Sequence, residues 1–574
     1  MRRTLSMLFI LIAALACRLD LSALSPTPTL PPTATATATA TATEVPPSLT
    51  PTITPSPWPT STPTLTLTPT ATNPGFTVEF HPDGPLYTGD QVSITVNTPA
   101  GENWDGATLS VQIAQADGLV LGPVNFSDWG IARRSQATIL WGWDTSGLAA
   151  GEYELSFTIT PQEYTFSESV TLQPASAMPP VLAGAHWAES QTECCTVHYI
   201  TGTAAERDLP ALMALMDQQA EHAVQRMGIE FTEPITVTVM PRLLGHGGFA
   251  SDEIYVTYLD RNYAANSWEM VVHHEMIHIL DGRLGGDLRP SILVEGLAVY
   301  QTGGHFKAEL LLPRAAALLE EHLGWYIPLA ELADDFYASQ HEIGYLEGGA
   351  LVQYLVETYG WEAYSNFYRD IHPVEGAGQT AALDAGLQAH FGLTLEQTEQ
   401  AFLTFLRGQP GVEDWVEDVR LTVDYFDTLR RYQELLDPSA YFRTAWLMDG
   451  PSMRARGIVG DYLRHPSQPN NLALEAMFIS ASDRWVNGDP EGASQLLDSL
   501  NRVLEAVEQG RADPLSLDPL AADYLAIATA LQASGYELQS IELSGNTATV
   551  LVTAQDINLI ELQMIQTDNV WQIN

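Results

Sequence analysis

The sequence predicts a multidomain protein: an N-terminal β-sandwich, an α+β domain, and a mostly helical C-terminal region ending in β-strands. Three observations carry this reading. Residues 75–176 alternate apolar and polar side chains in short stretches broken by turn residues, the period of half-buried strands. Between residues 181 and 408, strand-like stretches mix with segments of helical period, the later half being helical. From 411 to 535 the helical period dominates, and 536–574 returns to alternation. With 574 residues, the chain is long enough for several such units.

The first 17 residues read as an export signal. Arg2 and Arg3 precede an apolar run from Leu5 to Ala16, and Ala14-Leu15-Ala16 offers a small-residue cleavage site. The run is too short to span a bilayer comfortably. Cys17 follows directly, so this end also resembles a bacterial lipoprotein signal, although Ala14 stands where a branched residue is usual. Secretion and a membrane tether through lipidated Cys17 both remain open, and both place the folded part outside the cytoplasm. Residues 18–74 are dominated by Pro, Thr, Ala and Ser, with alternating Thr-Ala from Thr33 to Thr43. Such a segment cannot bury a core and reads as an extended stalk.

The sandwich is read from Gln91–Asn97, Ala107–Ile113 and Tyr153–Ile159. The segment from Trp143 to Tyr153 resembles the turn entering a late strand in bacterial immunoglobulin-like modules. A spacer role is expected for this region, since fold does not fix function. In the α+β part, Thr196–Ile200, Ile235–Met240 and Glu253–Leu259 read as strands and Leu209–Met227 as an amphipathic helix. In the C-terminal region Leu472–Val486 and Glu491–Gln509 read as helices, and Ser544-Gly545-Asn546 as a hairpin turn.

Composition excludes some partners. The formal charge is −45, from 70 acidic against 25 basic residues, and Lys307 is the single lysine. A nucleic-acid backbone is bound by neutralising its charge, so nucleic acid is excluded as a partner. Apart from Cys17, only Cys194 and Cys195 carry thiols. Adjacent in sequence, they form either a vicinal disulfide or buried thiols, and they make a poor zinc site.

The chemistry lies in the stretch from Asn266 to Gly282, read as a helix with Asn266 and Glu269 as its capping box and Gly282 as its C-cap. His274 and His278 stand one turn apart on one face, so both imidazoles reach a single metal ion, with Glu275 beside them as the carboxylate that exchanges a proton with water. Seventeen residues beyond His278, Glu295 lies in a second short helix, Pro290–Tyr300. It completes a two-histidine, one-carboxylate set suited to zinc. His273 points about 100° away from His274 and is read as a neighbour rather than a ligand. His246, His305 and His341 are read as loop histidines.

Together these motifs resemble the gluzincin metallopeptidases, specifically the peptidase MA-like domain, over about Thr196 to Gly408. There, a His-Glu-x-x-His helix is followed by a helix whose Glu-Gly-Leu-Ala supplies the third ligand, here Glu295 to Ala298. The gap between His278 and Glu295 is shorter than usual, and Ile292 or Leu293 replaces the customary tryptophan. Gly245–Ala250 and the strand at Glu253–Leu259 look like the family's edge strand, to which an extended peptide adds by main-chain hydrogen bonds. Gly344–Leu355, Thr358–Gly360 and Phe391–Glu396 match its later helices. The resemblance implies Zn2+ as cofactor, a peptide or protein as substrate, and Glu275 and Tyr345 as catalytic residues, Tyr345 stabilising the oxyanion. The alternative is a surface-tethered binding or display protein in which an inactive metallopeptidase-like fold is scaffold and the sandwich makes the contacts.

Overall fold

A computed structural model of the protein describes residues 75–99, 104–130, 133–242, 247–441, 449–554 and 556–574. The export signal, Cys17, the stalk, and Gly245 and His246 fall outside them. The described residues belong to one compact unit.

The first part is a two-sheet β structure. Its strands are β1 (Thr77–His81), β2 (Leu86–Tyr87), β3 (Gln91–Asn97), β4 (Thr108–Ile113), β5 (Leu119–Asn125), β6 (Ser127–Trp129), β7 (Arg134–Asp144), β8 (Gly151–Thr160) and β9 (Tyr164–Gln173). One sheet runs β1-β3-β7-β6 and the other β2-β9-β8-β4-β5. Alternation is the cause of the arrangement: on β8, Tyr153, Leu155, Phe157 and Ile159 are buried and their neighbours lie outward. They share one core with Val92, Ile94 and Trp143 from the other sheet.

After a short helix α1 (Pro180–Gly184), five strands form a mixed sheet: β10 (Trp187–Gln191), β11 (Cys195–Ile200), β12 (Ile235–Met240), β13 (Gly248–Ala250) and β14 (Ile254–Thr257). The order is β10-β11-β12-β14-β13, with β11, β12 and β14 parallel and β13 antiparallel at one edge. Cys194 and Cys195 are joined as a vicinal disulfide. Helix α2 (Ala204–Met227) links β11 to β12, and its buried stripe Leu212, Met216, Ala220, Ala223 and Met227 follows the helical period. It starts five residues earlier than expected at Leu209. The Asp260 carboxylate accepts the Ala204 N–H at 2.9 Å, which satisfies the new terminus, and the helix tolerates Pro210 in its second turn.

Helix α3 (Trp268–Leu284) differs from expectation at both ends. Its N-cap is Ser267, and no Asn266–Glu269 capping box forms, because the Glu269 carboxylate is taken by Gln219 Nε2 of α2 at 2.8 Å. Gly282 lies inside the helix, which runs to Leu284 and ends at Gly285. Seven more helices follow: α4 (Ser291–Thr302), α5 (Leu311–Ala317), α6 (Leu329–Asp335), α7 (His341–Tyr359), α8 (Trp361–Arg369), α9 (Gln379–Phe391) and α10 (Leu395–Arg407). The last opens with a full capping box between Thr394 and Gln397.

The C-terminal part holds α11 (Glu413–Leu436), α12 (Gly450–Arg456), α13 (Gly460–Leu463), α14 (Pro469–Val486), α15 (Pro490–Glu508) and α16 (Pro519–Ala533). A four-stranded antiparallel meander ends the chain: β15 (Glu537–Ser544), β16 (Thr547–Thr553), β17 (Ile560–Thr567) and β18 (Val570–Ile573). Gly545-Asn546 makes the hairpin between its first two strands, as expected.

One hydrophobic core runs from Cys195 to Trp571, without a break at the loop near Gly411. Buried ion pairs cross the same boundary. Arg242 and Arg261 reach Glu475 on α14, Arg242 also reaches Asp437 at 2.6 Å, and Arg261 reaches Glu537 at 2.6 Å. On the other side, Arg464 grips Asp90 of the β-sandwich at 2.5 and 2.8 Å. Among the described residues no helix is long and apolar enough to cross a membrane.

Candidate metal centre

Helices α3 and α4 meet so that three donors converge. Nε2 of His274 lies 3.3 Å from Glu295 Oε2, and Nε2 of His278 lies 3.4 Å from the same oxygen. The two rings stand nearly perpendicular, at 84°, with centroids 4.7 Å apart. One ligand atom from each of His274, His278 and Glu295 fits within a 4.8 Å group. Spacing of four residues on α3 places both rings on one face, and α4 brings the carboxylate across to them.

The approach of α4 depends on its contact with α7. A Cβ on Gly296 would lie 2.4 Å from the Gly348 carbonyl oxygen, and one on Gly349 would lie 2.5 Å from Val299 Cγ1. Glycine at 296 lets the two helix backbones touch, glycine at 349 makes room for the Val299 side chain, and this close approach fixes where Glu295 emerges. Tyr337, in the one-turn 3-10 helix Phe336–Ala338 just before α7, donates its hydroxyl to Glu295 Oε1 at 2.5 Å. The carboxylate is thereby divided: one oxygen on the phenol, the other toward the histidines. Sequence reading missed Tyr337, which belongs to no motif.

Glu275 follows His274 on α3 and packs under the edge strand. A Cβ on Gly248 of β13 would lie 2.6 Å from Glu275 Cγ and 2.8 Å from its Oε1. Glu275 is buried, and its Oε2 has no hydrogen-bond partner among the described residues. Burial, aided by the nearby Glu295 charge, pushes its carboxyl up to about 8 against the pull of His278. Burial also opposes charge on His278, but the Glu295 carboxylate outweighs it and raises that ring to about 9. Glu295 itself is buried, yet His278 and His274 hold it well below the carboxylate range. His274 is lowered, chiefly by burial.

Tyr345 is brought beside the donors. Its ring centroid lies 6.2 Å from that of His274, and it stacks on His305 at 4.0 Å and 12°. His305 sits in the loop after α4, as expected, but His341 does not lie in a loop. It is the first residue of α7, buried, with its ring 4.3 Å from Tyr345. His273 is not a member of the donor set. It is buried against α2, where Gln219 Oε1 meets its Nδ1 at 2.8 Å. Gln219 spends its amide on Glu269, so its oxygen accepts and His273 Nδ1 carries the proton.

No model of a known protein family matches the chain, and no curated protein matches it. The argument for function therefore rests on the donor set. Two imidazoles and one carboxylate suit zinc, and the orphaned buried oxygen of Glu275 beside them fits a group placed for a polar partner that arrives with the metal or the substrate.

Proposed function

We propose that the chain is a zinc-dependent metallopeptidase of the gluzincin type that hydrolyses peptide bonds outside the cytoplasm. The observation that carries this is the convergence of His274 Nε2, His278 Nε2 and Glu295 Oε2 next to buried Glu275, whose Oε2 has no hydrogen-bond partner among the described residues. Zinc held by those three residues supplies Lewis acidity toward a carbonyl and makes a water acidic near neutral pH. Glu275 takes the proton from the attacking water and returns it to the leaving amine. Tyr345, beside His274, donates to the developing oxyanion. The β13 edge, passing over Glu275 at Gly248, offers main-chain groups to an extended peptide.

The export signal supports an extracytoplasmic location, with Cys17 as the tether if it is lipidated. An immunoglobulin-like reading of the sandwich is supported by Tyr153. Its hydroxyl donates to the Ala149 carbonyl four residues upstream at 2.8 Å, and its ring lies 5.7 Å from buried Trp143.

Zinc content of the purified full chain tests the proposal. One zinc per chain, lost in Glu295→Ala and kept in Glu275→Gln, with peptide cleavage abolished in both, is the expected result. Folded wild type without zinc, or cleavage surviving in Glu275→Gln, overturns it. The first of those outcomes leaves the display-scaffold alternative.

A further inference from the structure

A cavity of about 260 Å³ lies beside the metal centre, and its walls come from both the α+β part and the C-terminal part of the chain. The peptidase-like part contributes His305, Phe306, Lys307 and Arg314 together with Glu342, Ile343 and Leu346 of α7. The C-terminal part contributes Asp418, Val423 and Phe426 of α11 and Trp485 of α14. The partition between cavity and donors is one side chain thick. His305 lines the cavity, and its ring stacks on Tyr345 at 4.0 Å and lies 5.5 Å from the ring of His274.

The chemistry of the walls selects an uncharged guest. Lys307 Nζ is bound by Asp418 at 2.8 Å and lies 3.7 Å from the centre of the Trp485 ring. Arg314 is paired with Glu309 at 2.9 Å and with Asp418, and Glu342 is paired with Arg430. Every charge on the wall already has its counter-charge, so an incoming ion finds none to spare. The surface that remains is apolar and rich in aromatic rings: Phe306, Ile343, Leu346, Val423, Phe426 and Trp485. A cavity of this size and lining fits one large apolar side chain.

We propose that this cavity is a side-chain pocket that takes a large apolar residue, aromatic by preference, from the peptide substrate. Helices α11 and α14 thereby become part of the substrate-binding machinery. The substrate class rests on the peptidase reading above, but occupancy of the pocket does not, so the two are tested apart.

The probe is N-acetyl-phenylalanine amide, with N-acetyl-alanine amide as control, titrated into the full chain and followed by tryptophan fluorescence and saturation-transfer NMR. Saturable binding of the phenylalanine probe, at least tenfold tighter than the alanine probe, is expected. Val423→Trp, which fills the cavity, is expected to lose that difference while the chain keeps its metal. Leu346→Ala, which enlarges it, shifts preference toward N-acetyl-tryptophan amide and serves if the filled variant does not fold. Equal binding of both probes, or a preference untouched by both variants, overturns the pocket. In cleavage assays on peptides, the pocket is expected to contribute about 10–200-fold in kcat/KM for large over small residues, a ratio that Val423→Trp removes. Cleavage without that preference sinks the pocket and spares the peptidase. Probe binding with no cleavage by the zinc-loaded chain does the reverse.

Discussion

The Tyr337 hydroxyl donates to Glu295 Oε1 at 2.5 Å, while Glu295 Oε2 faces both His274 and His278. A carboxylate that keeps its second oxygen tied cannot swing, so the phenol orients the proposed third ligand. Partners of this kind typically contribute about 10–100-fold in metal affinity. Tyr337→Phe is therefore expected to weaken zinc binding by a factor in that range, measured by competition with a chelator of known affinity. Tyr345→Phe, by contrast, is expected to keep zinc affinity and lose turnover. If Tyr337→Phe binds zinc as tightly as wild type, the orienting role fails.

Gly248 is the point where the edge strand crosses the proposed proton carrier. A methyl group there would press on Glu275 Cγ and Oε1 at 2.6 and 2.8 Å. Gly248→Ala is expected to displace Glu275 or the strand, with a loss of about 10²-fold in kcat at retained zinc content. Paired zinc analysis and peptide kinetics on the one variant check this, and undiminished kcat would count against it.

Gly296 is expected to be intolerant for a different reason. Its Cβ would meet the backbone of α7, which cannot rotate aside as a side chain can. Gly296→Ala should lose about 1–3 kcal/mol of stability through overpacking. Zinc affinity should fall with it, because Glu295 is the preceding residue. Thermal unfolding with and without added zinc reads both effects.

The acid response of the molecule should be governed in part by Glu475. Burial favours its neutral form, but Arg242 and Arg261 outweigh burial and hold the carboxyl down at about 2. A depressed folded value means that the stabilisation is present above the ordinary carboxylate range and is lost as pH falls through about 2. The displacement from the usual value corresponds to about 3 kcal/mol. Glu475→Gln leaves Arg242 only Asp437 and Arg261 only Glu537 as carboxylate partners, and loses charged hydrogen bonds that should cost about 1.5–3 kcal/mol at pH 7. The gap between its urea midpoint and that of wild type should narrow steadily from pH 5 to pH 2. A gap independent of pH would show that the carboxylate charge is not what matters.

The donor set was legible because it is local. Four-residue spacing on a helix puts two rings together whatever surrounds them, and Glu295 to Ala298 marks the second helix within seventeen residues of His278. The strands of the sandwich were legible for the same reason, through alternation along single segments. What sequence reading missed depends on distant partners. The expected cap on α3 failed because Gln219, fifty residues away, takes Glu269. Tyr337 lies on a single 3-10 turn with no period to mark it. His341 and Tyr345 lie one turn apart on α7, but the packing of His305 against both joins that helix to the loop after α4, and periodicity gives no sign of it. Helical pattern also shows that α11 and α14 have apolar faces, but not that part of those faces borders a cavity.

The unbroken core between Cys195 and Trp571 has a consequence for how such a protein is inherited. A gene segment encoding residues 181–410 would carry all three candidate metal ligands, yet it would strip Glu475 and Asp437 from two buried arginines and cut through the shared hydrophobic core. Recombination that shuffled that segment alone would deliver the motif without the protein. The packing leaves no clean seam at which the long helical region could part from the motif, so the whole run would have to move together.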